Sequence, residues 1–259
     1  MIRIWTCLLC VGMLLAGCSD SDEHVAKQRK DLKSKSPIVR ARAADEIGQA
    51  GPSAVRSSMR QLVVAIKDDS PAVRSMAAQS LGQIPPEQAS EVVPVLSEAL
   101  ADTDAGVRHK AALALSKIGP AAAPAAGQLT KMLRDGDHKD GWWATEALGR
   151  LGPQAAVAVN DLMGELESPI ARNRSRAAWA LGNIGPVAAP AVAQLAALTS
   201  DPDAAVRMSA VTSLGQIGSA AASARAAVQA LLRDPIADIR GSAARALKQI
   251  DGTKVGPQE

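Results

Sequence analysis

The stretch DDSPAVRSMAAQSLGQI, residues 68–84, decides the fold. Val73, Ala77, Leu81 and Ile84 recur at three- and four-residue spacing, which puts them on one face of a helix. Ser70-Pro71 supplies its start: a short polar residue, then a proline whose fixed φ suits the first turn and whose missing N–H costs nothing there. Alanine at 77 and 78 leaves little bulk on that face, so a second helix can approach closely.

The pattern returns along the chain. Leu81-Gly82 has counterparts at Ile47-Gly48, Leu115-Ser116, Leu148-Gly149, Leu181-Gly182, Leu214-Gly215 and Leu247-Lys248, in steps of 34, 34, 33, 33, 33 and 33 residues. A second landmark precedes each at a fixed distance: Val39-Arg40, Val73-Arg74, Val107-Arg108, Asp140-Gly141, Asn173-Arg174, Val206-Arg207 and Ile239-Arg240. Two landmarks that keep step in this way define an internal repeat. Between copies run the stripes Leu62-Ile66, Leu96-Leu100, Leu129-Leu133, Leu162-Leu166, Leu195-Leu198 and Val228-Leu231, so each unit is predicted to be two helices, A and B. Helix A ends at Gly51, Gly119, Gly152, Gly185 and Gly218, usually with proline next.

After each B stripe an Asp or Ser holds a fixed place: Ser34, Asp68, Asp102, Asp135, Ser168, Asp201 and Asp234. These short acceptors suit the turn into the following A helix, and the Asp carboxylates are close enough in sequence to pair with that repeat's arginine. Arg40, Arg74, Arg108, Arg174, Arg207 and Arg240 are therefore expected to form a structural ladder between repeats with Asp68, Asp102, Asp135, Asp201 and Asp234.

A chain without Phe or Tyr still has the means to build a core, because small pairs such as Ala43-Ala44, Ala77-Ala78, Ala111-Ala112, Ala177-Ala178 and Ala243-Ala244 let helices come close. One unit cannot bury its stripe alone; several stacked units can. Val25 to Lys33 match only a B half and Pro235 to Ile250 only an A half, the two end caps such a stack requires.

The pattern D-x-x-x-x-V-R-x-x-A-A-x-x-L-G-x-I-G resembles the HEAT-repeat superfamily, in particular its short phycobilisome-lyase-type units. That resemblance implies an all-α fold, a right-handed α-α superhelix of about six helix pairs with terminal half-repeats, and a protein that binds other proteins.

The N-terminus carries Arg3, an apolar run and then Leu15-Ala16-Gly17-Cys18. The run is too short to span a bilayer and ends in small residues, the grammar of a cleaved export signal. Leu-Ala-Gly-Cys resembles the lipobox of bacterial lipoproteins, which implies that Cys18 becomes the acylated first residue. Ser19 after it resembles the outer-membrane sorting case, so a periplasm-facing location is expected, with the outer membrane favoured over the inner. Cys7 and Cys10 would be lost with the signal, leaving no pair for a disulfide. Residues 1–17 then form the signal, 18–35 a lipidated tether and cap, 36–250 the solenoid, and 251–259 a flexible tail.

Chemistry-bearing residues are sparse. The net charge of +3 is no surplus for a polyanion, and the B helices alternate in sign: Arg56, Arg60 and Lys67, then Glu87, Glu91 and Glu98, then Lys131 and Arg134, then Asp161, Glu165 and Glu167. No nucleic-acid partner is expected. His24, His109 and His138 lack a metal-type spacing, so neither metal nor cofactor is expected. Deoxyhypusine hydroxylases of similar fold bind iron through repeated His-Glu dipeptides, and none occurs here. An enzyme or enzyme subunit on this fold, a HEAT-like lyase or metal-dependent hydroxylase, remains the alternative to a non-enzymatic scaffold.

Trp142 and Trp143 stand side by side, and Trp179 follows one repeat later. By position in the repeat, Trp142 and Trp179 share a stripe on adjacent A helices, one that is small or polar elsewhere and hence expected to be exposed. Either the indoles fill the space left where Asp140-Gly141 replaces Val-Arg, or Trp142, Trp143 and Trp179 with Arg174, Arg176 and His109 form a patch for an unidentified protein partner, since Trp and Arg dominate interface hot spots.

Overall fold

The computed structural model describes residues 23–252, so the signal, Cys18 and the tail from 253 lie outside the described residues. A first helix, α1, covers 23–31. There follow α2 (Pro37–Gln49), α3 (Pro52–Ala65), α4 (Pro71–Leu81), α5 (Ala89–Ala99), α6 (Ala105–Ile118), α7 (Ala126–Asp135) and α8 (His138–Leu151). The rest are α9 (Val159–Glu165), α10 (Ala171–Ile184), α11 (Val192–Leu198), α12 (Ala204–Ile217), α13 (Arg225–Ala230) and α14 (Ala237–Ile250). Even-numbered helices are the A helices of the repeat and odd-numbered ones the B helices. The described residues contain no strand, and the architecture is an all-α, HEAT-like solenoid. The chain divides into two compact units, the first ending at Ala114 and the second beginning at Leu115, a boundary inside α6.

In the first unit α2 packs on α4; in the second α8 packs on α10, α10 on α12 and α12 on α14. The residues of the repeat motif are what meet there. Val73, Ala77, Ala78 and Leu81 are fully buried, as are Ala177, Ala178 and Leu181. The glycine after the conserved Leu marks the closest approach. A Cβ built on Gly82 would lie 2.6 Å from Ala114 Cα, and one on Gly182 would lie 2.8 Å from Ser213 Cα. At Gly48 and Gly182 the neighbouring A helix places a serine that bonds backbone: the Ser80 hydroxyl donates to Ala44 O at 2.8 Å, and the Ser213 hydroxyl to Ala178 O at 2.6 Å.

The A-to-B turns use glycine for a different reason. Gly51, Gly119, Gly152, Gly185 and Gly218 all have positive φ, between 63° and 94°, a region that other residues enter only at a cost. Beyond the last four of these, the chain winds first as a 3₁₀ turn of seven residues, such as Gly119–Ala125 and Gly185–Ala191, before the α-helix begins. Prolines inside two of these turns, Pro124 and Pro190, have no N–H to give to an α-helical bond. The B elements of α7, α9, α11 and α13 are thus composite, whereas α3 is a single helix from Pro52 to Ala65. The turn at Gly185 also breaks the apolar run Ala171–Leu198, the described stretch long and apolar enough to cross a membrane, into the two helices of one repeat.

Most B stripes are buried as the spacing predicts: Leu62, Leu96, Leu129, Leu162, Leu195 and Val228 are fully covered. In α11 the inward partner of Leu195 is Thr199, four residues on, while Leu198 is only half-buried. Ala244 of the last A helix is exposed beside a buried Ala243.

The polar rungs run opposite to the sequence expectation. Asp68, Asp102, Asp201 and Asp234 pair not with the arginine that follows each but with the arginine of the preceding A helix. Arg40 grips Asp68 through two bonds of 2.6 and 2.8 Å, Arg74 grips Asp102 at 2.7 and 2.8 Å, and Arg174 grips Asp201 at 2.8 and 2.9 Å. Arg207 reaches Asp234 at 2.8 and 3.4 Å. The arginine that follows takes the backbone instead. Arg74 Nη1 donates to Asp68 O at 2.9 Å, Arg108 to Asp102 O at 2.9 Å, Arg207 to Asp201 O at 2.9 Å and Arg240 to Asp234 O at 2.8 Å. Asp135 is exposed at the end of α7. The same carboxylates also accept from the backbone N–H two residues on, as Asp68 does from Ser70 at 2.9 Å and Asp201 from Asp203 at 2.9 Å. Ser36 and Ser70, at helix-start positions, use no side-chain cap; the Asp two residues before Ser70 organises that turn.

Two outcomes follow from this packing. Gly182→Ala, which pushes a methyl into the Ser213 backbone, is expected to destabilise by about 1–3 kcal/mol. Gly164→Ala in α9, where nothing lies within 4 Å, should cost nothing, and thermal unfolding of the two variants makes the comparison. The Arg174 guanidinium holds the Asp201 carboxyl below the ordinary carboxylate range, so its contribution is present at neutral pH and is lost as the pH falls through the folded value. Asp201→Asn should therefore lower stability at neutral pH by about 1.5–3 kcal/mol. The deficit relative to wild type should close on acidification, as measured by melting temperature across an acid series.

Candidate functional site

Repeat four departs from the pattern, and the departures collect on its A helix. In α8, Asp140 stands where four of the other repeats have Val and is buried, and Gly141 stands where all of them have Arg. The start of α8 is capped by Asp137, whose side chain accepts from the Lys139 and Asp140 N–H groups at 2.8 Å, as Asp203 caps α12. One and two residues further come Trp142 and Trp143, packed edge to face with centroids 4.4 Å apart. Trp179 lies on α10, against α8: a Cβ on Gly149 would run into its ring. Here the glycine accepts an indole rather than a serine or alanine.

All three tryptophans are half-buried, which corrects the expectation of an exposed stripe. What covers them is cationic. Arg176 lies over Trp142 at 3.9 Å from the centroid and Arg172 at 5.2 Å, while Arg150 lies over Trp179 at 5.5 Å. A guanidinium over an indole face is attracted by the ring's quadrupole, a contact of about 0.5–2 kcal/mol. Both indole clusters thus carry arginine on their outer side.

Of the arginines named from the sequence, Arg176 belongs to this cluster and Arg174 does not. All of the Arg174 nitrogens are engaged in the ladder, on Asp201 and on Ser168 O. His109 is half-buried on α6, in the first unit. The sequence reading missed Arg150, Arg172 and Glu146. Their signal was present as two four-residue spacings, Glu146 with Arg150 on α8 and Arg172 with Arg176 on α10, on the helical face already marked by the tryptophans.

Glu146, Arg150, Arg172, Ser175, Arg176, Trp179 and Ser209 line an open hollow of about 310 Å³ on α8, α10 and α12. Its charges do not balance. Glu146 is the only carboxylate, and it serves two arginines: Arg150 Nε donates to Oε1 at 3.1 Å and Arg176 Nη1 to Oε2. Arg172, exposed, has the Trp142 ring as its neighbour. Burial, reinforced by the positive charges of Arg172 and Arg150, pushes the Arg176 guanidinium below its usual value even with Glu146 beside it. Arg176 Nε and Trp142 Nε1 are buried N–H donors without an acceptor. Such a group costs about 1–3 kcal/mol when left unmade. Ser175 and Ser209 share a bond of 2.9 Å across α10 and α12, on the hollow's wall. The cluster therefore offers donors and positive charge in excess of acceptors.

The B surfaces differ. Their alternating charges pair with one another: Lys67 with Glu98 at 3.0 Å in the first unit and Arg134 with Asp161 at 3.0 Å in the second, while Arg225 of α13 pairs with Asp251 at the end of α14 at 2.9 Å.

Residues 25–92, 62–149 and 193–257 match the family of HEAT repeats, and residues 174–201 match the PBS lyase HEAT-like repeat. The chain belongs to the HEAT-repeat family. No curated protein matches it. Among solved structures it is similar to the complex of CpcE and CpcF of phycocyanin lyase from a Nostoc species, with 26% identity, TM-score 0.52, and coverage of 88% of this chain and 93% of that one. The archaeal HEAT-like repeats protein of Thermococcus onnurineus is 15% identical with TM-score 0.60, covering 88% and 97% of the two chains. Importin beta is likewise 15% identical with TM-score 0.60, but this chain, covered to 91%, spans only 36% of its length. These last two likenesses are of fold alone.

Glu146→Gln removes the carboxylate that neutralises Arg150 and Arg176 and leaves a partly buried guanidinium unpaired. A loss of about 1–3 kcal/mol is expected. It should shrink as salt screens the repulsion among the arginines, which denaturant unfolding at low and high ionic strength measures.

Proposed function

We propose that this protein is a membrane-anchored HEAT-repeat scaffold that acts by binding rather than catalysis, holding a protein partner on the extracytoplasmic side of a bacterial membrane. The hollow on α8, α10 and α12 carries the reading: three arginines and an indole are concentrated on one helical surface against a single lining carboxylate. Tryptophan and arginine are the side chains that supply most binding energy at protein interfaces. Membership of a family whose fold is typical of interaction scaffolds supports the same conclusion. The anchor is assigned to Cys18 of the lipobox-like Leu15-Ala16-Gly17-Cys18, and Ser19 favours the outer membrane. Two or three acyl chains, at about 0.8 kcal/mol per buried methylene, would hold the protein stably.

A second reading, an enzyme subunit, draws on the likeness to the CpcE–CpcF complex of phycocyanin lyase. Stoichiometric retention of added iron or zinc by the purified chain would favour its metal-dependent form.

The scaffold reading predicts that the wild type incorporates a palmitate analogue and sediments with membranes, and that Cys18→Ser does neither. Crosslinking in the native cell should capture a partner that the double variant Trp142→Ala, Trp179→Ala loses, with each anchor worth about 2 kcal/mol or more. Circular dichroism of the double variant checks that the helices persist. Capture unchanged by a folded double variant would place the partner elsewhere.

A further inference from the structure

The hollow on α8, α10 and α12 has a definite ligand chemistry. Three guanidiniums, Arg150, Arg172 and Arg176, surround one carboxylate, Glu146, and the two nearer arginines already share its oxygens. A second anionic acceptor would find Arg172 without a carboxylate of its own, the remaining donors of Arg150, two hydroxyls on the wall and the flat face of Trp179. We propose that the hollow seats an acidic segment of polypeptide, a side-chain carboxylate clamped by Arg172 and Arg150 with its stem on the Trp179 indole. The proposal rests on the scaffold reading and specifies what the partner presents.

Carboxylate is preferred to phosphate on the charge already present. Glu146 lies within the hollow, fixed by Arg150 and Arg176, and repels a dianion more than a monoanion. A carboxylate also matches the guanidinium fork with two parallel bonds. The indole wall adds an apolar surface that favours a carboxylate on a hydrocarbon stem over a bare inorganic ion. An extended polyanion would need a continuous run of positive charge, whereas the B surfaces alternate in sign and pair internally. Burial, and after it the positive charges of Arg172 and Arg150, hold the Arg176 guanidinium below its usual value, and a new anion in the hollow offsets the second of these.

The site carries its own reporter. The chain has four tryptophans, and apart from Trp5 near the N-terminus they are Trp142, Trp143 and Trp179. Trp179 lines the hollow, Trp142 lies under Arg176 of its wall, and Trp143 packs on Trp142. The full chain, purified in detergent, is titrated with a capped tetraglutamate peptide, with capped tetraglutamine and with inorganic phosphate, following tryptophan emission and the indole N–H resonances. The glutamate peptide is expected to give a saturable shift that weakens with salt, and the other two probes none. Arg172→Gln, at an exposed position that leaves the packing intact, should weaken the peptide by about tenfold or more. Lys131→Gln, on α7, should not. No shift, an equal response to phosphate, or full affinity in Arg172→Gln would overturn the proposal. The titration uses no cellular partner, so a silent hollow with partner capture intact sinks this inference alone. A responding hollow with no captured partner sinks the scaffold reading instead.

Discussion

Close approach of neighbouring A helices is the constraint on which the structure depends. Where Gly82 faces Ala114 and Gly182 faces Ser213, there is no room for even a methyl group, so the helix surfaces must be built from glycine, alanine and serine. That explains a core without Phe or Tyr: at this spacing the buried volume is filled by Leu, Ile and Val, one per helical turn, between small neighbours. Close approach also brings hydroxyls such as those of Ser80 and Ser213 within reach of the next helix's carbonyls, which adds direction to packing that is otherwise non-directional.

The ladder solves a different problem. Stripes of Leu and Ala would tolerate sliding of one repeat on the next, but a guanidinium that must meet a carboxylate on one side and a backbone carbonyl on the other fixes the register. Arg74 does both, taking Asp102 Oδ1 and Oδ2 ahead and Asp68 O behind. The same Asp carboxylates order the B-to-A turn through the N–H two residues on. The Arg–Asp pair thus sets both the turn and the register.

The repeat, its helix pairs, its terminal half-units and its turn glycines were legible in the sequence because each is a property of position along the chain. What was not legible depends on which neighbour a side chain faces. A period places Asp68 and Arg74 six residues apart and cannot show that Arg40, on the preceding helix, wins the carboxylate while Arg74 takes the carbonyl. The same ambiguity assigned Arg174 to the tryptophan patch when its position in the repeat makes it a ladder residue. The stripe shared by Trp142 and Trp179 suggested exposure because its counterparts are small; the arginines at 150, 172 and 176 that half-cover the rings lie a turn away and escape a comparison made one position at a time.

Departures from a repeat are informative because the regular copies define what stability requires. Repeat four gives up the Val-Arg pair for Asp140-Gly141, and beside it the LG glycine, Gly149, carries an indole that no other repeat has. Neither change improves the core: Trp142 Nε1 and Arg176 Nε are left buried without acceptors. On the B surfaces the opposite holds, since charges alternate and neutralise one another, and little would be gained there by adding a ligand. What a ligand can use is the accessible part of the cluster, where three guanidiniums stand against the single carboxylate of Glu146. Because α8, α10 and α12 are held by their packing, a ligand that meets them incurs little cost in ordering the protein.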